Sequence, residues 1–310
     1  MINQKYLVSA NPHIKTPMSN VLANMIIIFS LVPSVACSII FYGLPALLIC
    51  LTSVVSCYIF DMFFSFIILG KFNFKDTSSI ITGLLIALIM PVKISIYFVF
   101  LASLIAIIVG KVLFGGQGKE LVSGAALANC FLCAIVSGFA TTLLSSASTI
   151  SPFITFATNG YKSIPLLSLF TGTAGGFIGT TCSFAILFGA VILVAFNVYD
   201  FYIPVLSVIA FVVTIWISKG GISVIPELFT GSFLFASVFM LPAHSTSPVL
   251  MPSKVVYSVM FGILAALCRT NYLLGESGVF FCLILMSIIS PLIDMFAGIL
   301  YRGRRAKKYE

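Results

Sequence analysis

The sequence predicts an all-α integral membrane protein with about ten transmembrane helices, nine being the alternative count. Three observations predict this class. Of 310 residues, 60% are hydrophobic and 8% charged, with a mean hydropathy of +1.20. A water-soluble surface needs roughly 25% charged residues, which excludes a free cytosolic enzyme, a disordered chain and a collagen-like chain. Polar or Pro/Gly breaks also divide the chain into segments near the length of about 20 apolar residues that a spanning helix needs. Finally, the few charges are unevenly distributed between the connections.

Residues 1–20 are polar and carry Pro12 and Pro17, so they read as a cytoplasmic or interfacial lead-in and not as a cleavable signal peptide. The polytopic domain covers 21–300, with candidate spans at 21–41, 44–70, 78–91, 95–114, 121–145, 165–197, 201–218, 228–241, 255–270 and 278–300. The third and eighth are short, and the sixth is overlong. Residues 301–310, YRGRRAKKYE, form a basic tail suited to the inner headgroups. Eight cysteines lie almost entirely within apolar runs and read as small apolar filler.

With ten spans and a cytoplasmic N-terminus, 12 of the 16 basic residues fall inside, among them Lys71, Lys111, Lys119 and Lys254. Only Lys93, Lys162, Lys219 and Arg269 fall outside. That split obeys the positive-inside rule and puts both termini in the cytoplasm of a cell (inner) membrane protein. Basic residues scattered singly between apolar runs give no nucleic-acid patch. Thr82-Gly83 followed by Met90-Pro91 is echoed by Thr230-Gly231 followed by Met240-Leu241-Pro242. The helices that come next, IYFVFLASLIAIIVGK and KVVYSVMFGILAALCR, resemble each other too. Related segments five apart predict two inverted five-helix repeats, about 21–145 and 165–300, with sites near the midplane between broken helices.

Glycine clusters come next. Gly115-Gly116-Gln117-Gly118-Lys119 lacks the preceding strand and the GK[ST] ending of a phosphate cradle, leaving a tight turn. Gly172 to Gly179 holds two overlapping GxxxG spacings, compatible with close helix contact or with backbone exposed to a ligand. Intramembrane acids are scarce. Asp61 and Asp294 are the candidate ion-coupling residues, able to hold a cation or a proton. The competing reading is an interfacial acid paired with Lys71 or the C-terminal arginines. Glu227, Arg269 and Glu276 fall in outer loops, where solvated structural roles are expected. The loop Ser145 to Phe153 is rich in Ser and Thr, with no neighbouring base to activate a hydroxyl. His13 and His244 both fall on the cytoplasmic side, so no Ser-His-Asp hydrolase is indicated.

Several stretches in order carry a family resemblance: Asn11-Pro12-His13-Ile14, the run Thr82-Gly83-Leu84-Leu85-Ile86-Ala87-Leu88, Gly110 to Gly118, Gly172 to Gly179, Thr246-Ser247-Pro248-Val249, and Pro291-Leu292-Ile293-Asp294. Together they resemble the RnfD/NqrB family, whose members are the RnfD component of the Rnf ion-translocating electron-transport complex and the NqrB component of the sodium-pumping NADH:quinone reductase. The resemblance implies a urea-transporter-like inverted repeat and partnership with other Rnf-type subunits. It also implies electron transfer coupled to Na+ or H+ transport, and an FMN joined by a phosphoester to the Thr of an SGAT motif. Alignment on the following proline puts Ser151 at that acceptor, whereas alignment on Ser146 to Thr149 puts Thr149 there. The Asp that precedes the family motif and its Gly-Ala core are absent, and Thr180 stands where the family carries Glu. Gly175, Gly176 and Gly179 would allow close backbone approach to the cofactor. The expected function is therefore that of a membrane subunit in an Rnf-type oxidoreductase. A stand-alone channel or transporter for a small polar solute is the alternative, and a structural scaffold within the complex a third reading.

Overall fold

The computed structural model describes residues 19–70, 77–116, 118–135, 165–173, 175–230, 232–270 and 275–309. Among these residues the regular elements are all helical: α1 Asn20–Tyr42, α2 Leu44–Leu69, α3 Ser78–Leu88, α4 Ile96–Ile107, α5 Gly124–Ile135 and α6 Leu166–Thr171, then α7 Ser183–Ala195, α8 Tyr202–Lys219, α9 Val224–Phe229, α10 Ser232–Phe235, α11 Met251–Thr270 and α12 Gly278–Tyr309. Five of them, α1, α2, α8, α11 and α12, are long and apolar enough to cross a bilayer. Four apolar stretches are shorter: Ser78–Leu88, Ile96–Val112, Gly124–Ala134 and Ser183–Ala195. The chain is thus a multi-pass membrane protein. Its apolar composition goes outward as well as inward, with Phe29, Ile40, Phe63, Ile217 and Phe296 all exposed, as suits a surface that meets lipid instead of water.

Local chemistry sets the helix ends. Ser19 caps α1 by accepting a hydrogen bond at its Oγ from the Leu22 N–H at 3.2 Å. Gly43 stops α1, and Pro45 in the first turn of α2 needs no N–H partner there. α3 ends three residues before Pro91, and α6 ends at Gly172. A π-turn at Ile108–Val112 extends α4, and another at Ala236–Met240 follows α10.

Four of the helix pairs are joined where a glycine permits close approach. α1 packs on α7, α2 on α3 and α4, α4 on α5, α8 on α11, and α12 on α11 and α5. An added Cβ at Gly83 would meet the Val54 backbone, and one at Gly110 would meet Gly124. Gly189 similarly abuts Ser30, and Gly262 abuts Ser207. In a bilayer, where apolar burial gives no net drive between helices, such close packing supplies the attraction. Phe211 of α8 and Phe233 of α10 stack at 3.8 Å, with Phe261 of α11 beyond at 5.9 Å.

The structure revises three predicted spans. The stretch 78–91 is a half-length helix that breaks at Ile89, 165–197 holds two helices separated by irregular chain at 172–173 and 175–182, and 228–241 divides at Thr230 between α9 and α10. The first two breaks meet. Gly179 N–H donates to the Leu88 carbonyl at 2.7 Å, and Ile178 N–H donates to the Met90 carbonyl at 3.0 Å. The Asn129 amide donates to the Ile89 carbonyl at 3.1 Å. The overlapping GxxxG spacing is therefore not a helix–helix seam, and Gly172, Gly175 and Gly176 all have positive φ. Gly179 sits flat on Leu88, where any Cβ would overlap that side chain. Gly179→Val should therefore lower the thermal midpoint of detergent-solubilised protein, an overpacking cost of about 1–3 kcal/mol. Leu88→Ala in the same chain should recover part of the loss.

Candidate functional site

Three of the stretches that carried the resemblance meet at α3. α3 contains Thr82 to Leu88, Ile178 and Gly179 cap its C-terminal end, and the chain at 110–116 and 118–120 passes its N-terminal end. There the first turn of α3 faces Asp61 of α2 and Lys111 of the π-turn. Lys111 Nζ lies 2.7 Å from Asp61 Oδ2 and 3.1 Å from Ser79 Oγ, and the Ser79 hydroxyl donates to the same carboxylate oxygen at 2.5 Å. Asp61 and Lys111 are both buried. The π-turn widens the helix by one residue, closing Leu113 N–H onto the Ile108 carbonyl at 3.0 Å, and Lys111 projects from that turn.

A second buried ionic cluster lies at the end of α9. Arg269, fully buried on the last turn of α11, donates to the Glu227 carbonyl at 2.7 Å and to the Thr230 carbonyl at 2.6 Å. It also reaches Thr230 Oγ1 at 3.0 Å and Glu227 Oε2 at 3.3 Å, while Lys219 holds Glu227 Oε1 at 3.0 Å. The planar guanidinium fork suits two carbonyls left open where a helix stops. The expectation of solvated loop roles for Glu227, Arg269 and Glu276 is thus corrected, since all three are buried. A signal lay in the echoed helices, whose last residues are Lys111 and Arg269.

Asp61 pairs with Lys111, a residue that charge counting assigns to an inner connection. Lys71 lies outside the described residues, as do the side chains of the C-terminal arginines. Asp294 accepts from the Val249 N–H at 2.8 Å and the Leu250 N–H at 3.2 Å, capping the start of α11. It thereby joins the Thr246–Val249 and Pro291–Asp294 stretches. Ser151 and Thr149 lie outside the described residues. Of the three candidate glycines, Gly179 commits its N–H to Leu88, and the Gly176 carbonyl faces the Tyr42 hydroxyl at 3.5 Å.

Between α1, α3, the loop before α5 and the 239–246 segment opens a cavity of about 280 Å³. Asn24, Thr82, Glu120, Tyr199, His244 and Thr246 contribute its polar wall. Burial pushes the Glu120 carboxyl up to about 7, with Lys111 opposing and Asp61 reinforcing the shift. Glu120 does not stand out in the sequence, since a carboxylate beside Lys119 in a glycine turn looks solvated. His244 Nε2 lies 2.5 Å from the Val198 carbonyl, and its ring meets the edge of Tyr199.

Two chain breaks joined by main-chain hydrogen bonds, beside a polar cavity between distant stretches of the sequence, define a class: a polytopic membrane protein with a buried polar site. Comparison with known proteins narrows it. The model of the NQR2, RnfD, RnfE family matches residues 7–298, so the chain belongs to that family. It is similar to the D subunit of the Na(+)-translocating ferredoxin:NAD(+) oxidoreductase complex of Acetobacterium woodii, 26% identical over 93% of this chain and 92% of that one. It is also similar to the D subunit of the proton-translocating ferredoxin:NAD(+) oxidoreductase complex of Clostridium ljungdahlii, at 22% over 97% of each. A third relative is the B subunit of the Na(+)-translocating NADH-quinone reductase of Chromohalobacter salexigens, at 25% over 74% of this chain and 61% of that one.

Removing one partner of a buried ion pair strands the other charge. Asp61→Ala should destabilise the protein by about 3–5 kcal/mol, and a paired Asp61→Leu, Lys111→Met replacement should restore most of it. Denaturation midpoints of the purified variants check this.

Proposed function

We propose that this chain is the RnfD-type membrane subunit of an ion-translocating oxidoreductase, working with the other subunits of that complex. The observation that carries the reading is the family match across 7–298, reinforced by three of its motif stretches meeting at the two ends of α3. The subunit holds or positions a flavin for electron transfer coupled to Na+ or H+ movement. Relatives named for each ion exist, and both are matched over most of their length.

The proposed architecture is ten membrane segments in two inverted halves, with both termini cytoplasmic. Two parallels support it. Lys111 at the end of one echoed helix closes on Ser79, and Arg269 at the end of the other closes on Glu227 and Thr230. The Thr-Gly pairs at 82–83 and 230–231 stand at corresponding places in the sequence. Within this scheme Asp61 and Asp294 retain their candidate coupling roles. Asp61 would act through its Lys111 pair, and Asp294 through the cap it forms on α11.

Ser151 or Thr149 would supply the hydroxyl for a phosphoester to FMN, with Gly175, Gly176 and Gly179 close to the cofactor. When bound, the flavin supplies the redox chemistry and the protein sets its position and surroundings. The protein, produced together with a flavin transferase and run on a denaturing gel, should show a fluorescent band. Ser151→Ala should abolish it, with Thr149→Ala doing so if that residue is the acceptor instead. A dark band from otherwise intact complex would remove covalent flavin from the proposal.

A further inference from the structure

The cavity at the N-terminal end of α3 contains one acid that no structural contact accounts for. Glu120 lines it, and its carboxylate makes no hydrogen bond or ion pair with any described residue. It is half-buried on the cavity wall, which α1, α3 and the 239–246 segment complete. Asp61, by contrast, is fully engaged by Lys111 and Ser79.

The charged and titratable groups around Glu120 can be named element by element. Lys111 faces it from the π-turn after α4, and Asp61 from α2. Tyr199, in the link between α7 and α8, is close enough that burial and Glu120 together raise its phenol above the ordinary range. His244 lines the same cavity from the 243–246 segment. Lys119, its neighbour in the chain, is exposed and lays its stem on Gly115. α1 and α3 contribute only neutral groups among the described residues, Asn20, Asn24, Ser78 and Thr82.

We propose that Glu120 is a proton-loading group, taking a proton from water in this cavity and releasing it past the Asp61–Lys111 pair. The charge balance favours a proton over a metal cation. Asp61 and Lys111 cancel, leaving one negative charge on Glu120, which a single proton neutralises. A hard metal ion needs several oxygen ligands together, and no group of three or more His, Cys, Asp or Glu side chains stands together among the described residues. Burial and the neighbouring Asp61 charge hold the group near neutral pH, where it can both gain and lose a proton. This deepens the Rnf-type reading and rests on it for the direction of net transport.

The sign of the stability effect follows from linkage. A carboxyl raised in the folded state binds its proton more tightly there than in the unfolded chain. Folded protein therefore loses stability as pH rises from the ordinary value of 4.5 to about 7, and the penalty is complete above that. Thermal midpoints of purified full-length protein, compared with Glu120→Gln between about pH 5 and pH 8, should show the variant gaining over the parent as pH rises. Glu120→Asp should keep the parent's slope. A pH-independent difference between parent and Glu120→Gln would overturn the proposal, whatever the protein's function.

The second arm uses the whole complex in sealed vesicles driven by reduced ferredoxin and NAD+, read with a pH-gradient dye and with radioactive sodium uptake. Glu120→Gln should abolish the pH gradient while ferredoxin oxidation in uncoupled vesicles continues. An unchanged gradient, or loss of sodium uptake in its place, would overturn proton loading. Parent vesicles that move no ion at all would sink the Rnf-type reading itself, even if the pH-dependent midpoints still identify Glu120 as a titrating group.

Discussion

A helix that stops in a protein's apolar interior leaves carbonyls that water cannot reach, and each unsatisfied one costs several kcal/mol. The rest of this structure depends on how that constraint is met at Leu88, Ile89 and Met90. Two of the three carbonyls receive main-chain N–H groups from a second irregular stretch far along the chain, at Ile178 and Gly179, and the third receives the Asn129 amide. Each break satisfies polar groups that the other leaves open. Joining them fixes α3, α5 and the 172–182 segment as one unit, and the cavity opens at the other end of that short helix.

Buried charge follows the same logic of helix ends. Arg269 is placed where α9 stops, so its guanidinium meets carbonyls that have no intrahelical partner as well as the Glu227 carboxylate. Lys111 is placed where α3 begins, bringing a cation to Asp61 and Ser79. Such pairs are weak sources of stability when compared with well-packed apolar residues. Their effect here is positional: they hold short helices that are too brief to be secured by lipid contact alone.

The membrane class, the position of most helices and the family were legible in the residues, because composition, apolar run length and ordered motif stretches are local properties. The breaks were half legible. Segment 78–91 was visibly short and 165–197 visibly long, yet nothing local says that Gly179 lies on Leu88. Hydrogen bonds between residues so distant in sequence leave no periodicity to read. The buried roles of Lys111, Glu227 and Arg269 were missed for a related reason. Charge counting assigns any cation near a helix end to a connection, and it takes a tertiary contact to turn that end inward. Glu120 was hidden by its neighbours, since a glycine turn with Lys119 looks solvated until α1 and α3 close over it. Ser151 and Thr149, which rested on the resemblance alone, fall outside the described residues.

The joint between the two breaks also bears on how such a chain can change over time. Its donors at Ile178 and Gly179 are amide groups, which every residue except proline carries, and its acceptors are carbonyls, which every residue carries. Apart from the small residue on Leu88 and the amide at Asn129, the connection places few demands on side-chain identity. A lineage can therefore replace most of the surrounding sequence, including motifs devoted to a cofactor, while the scaffold that positions them persists. The chemistry is free to diverge because the hinge on which it is mounted is written in backbone.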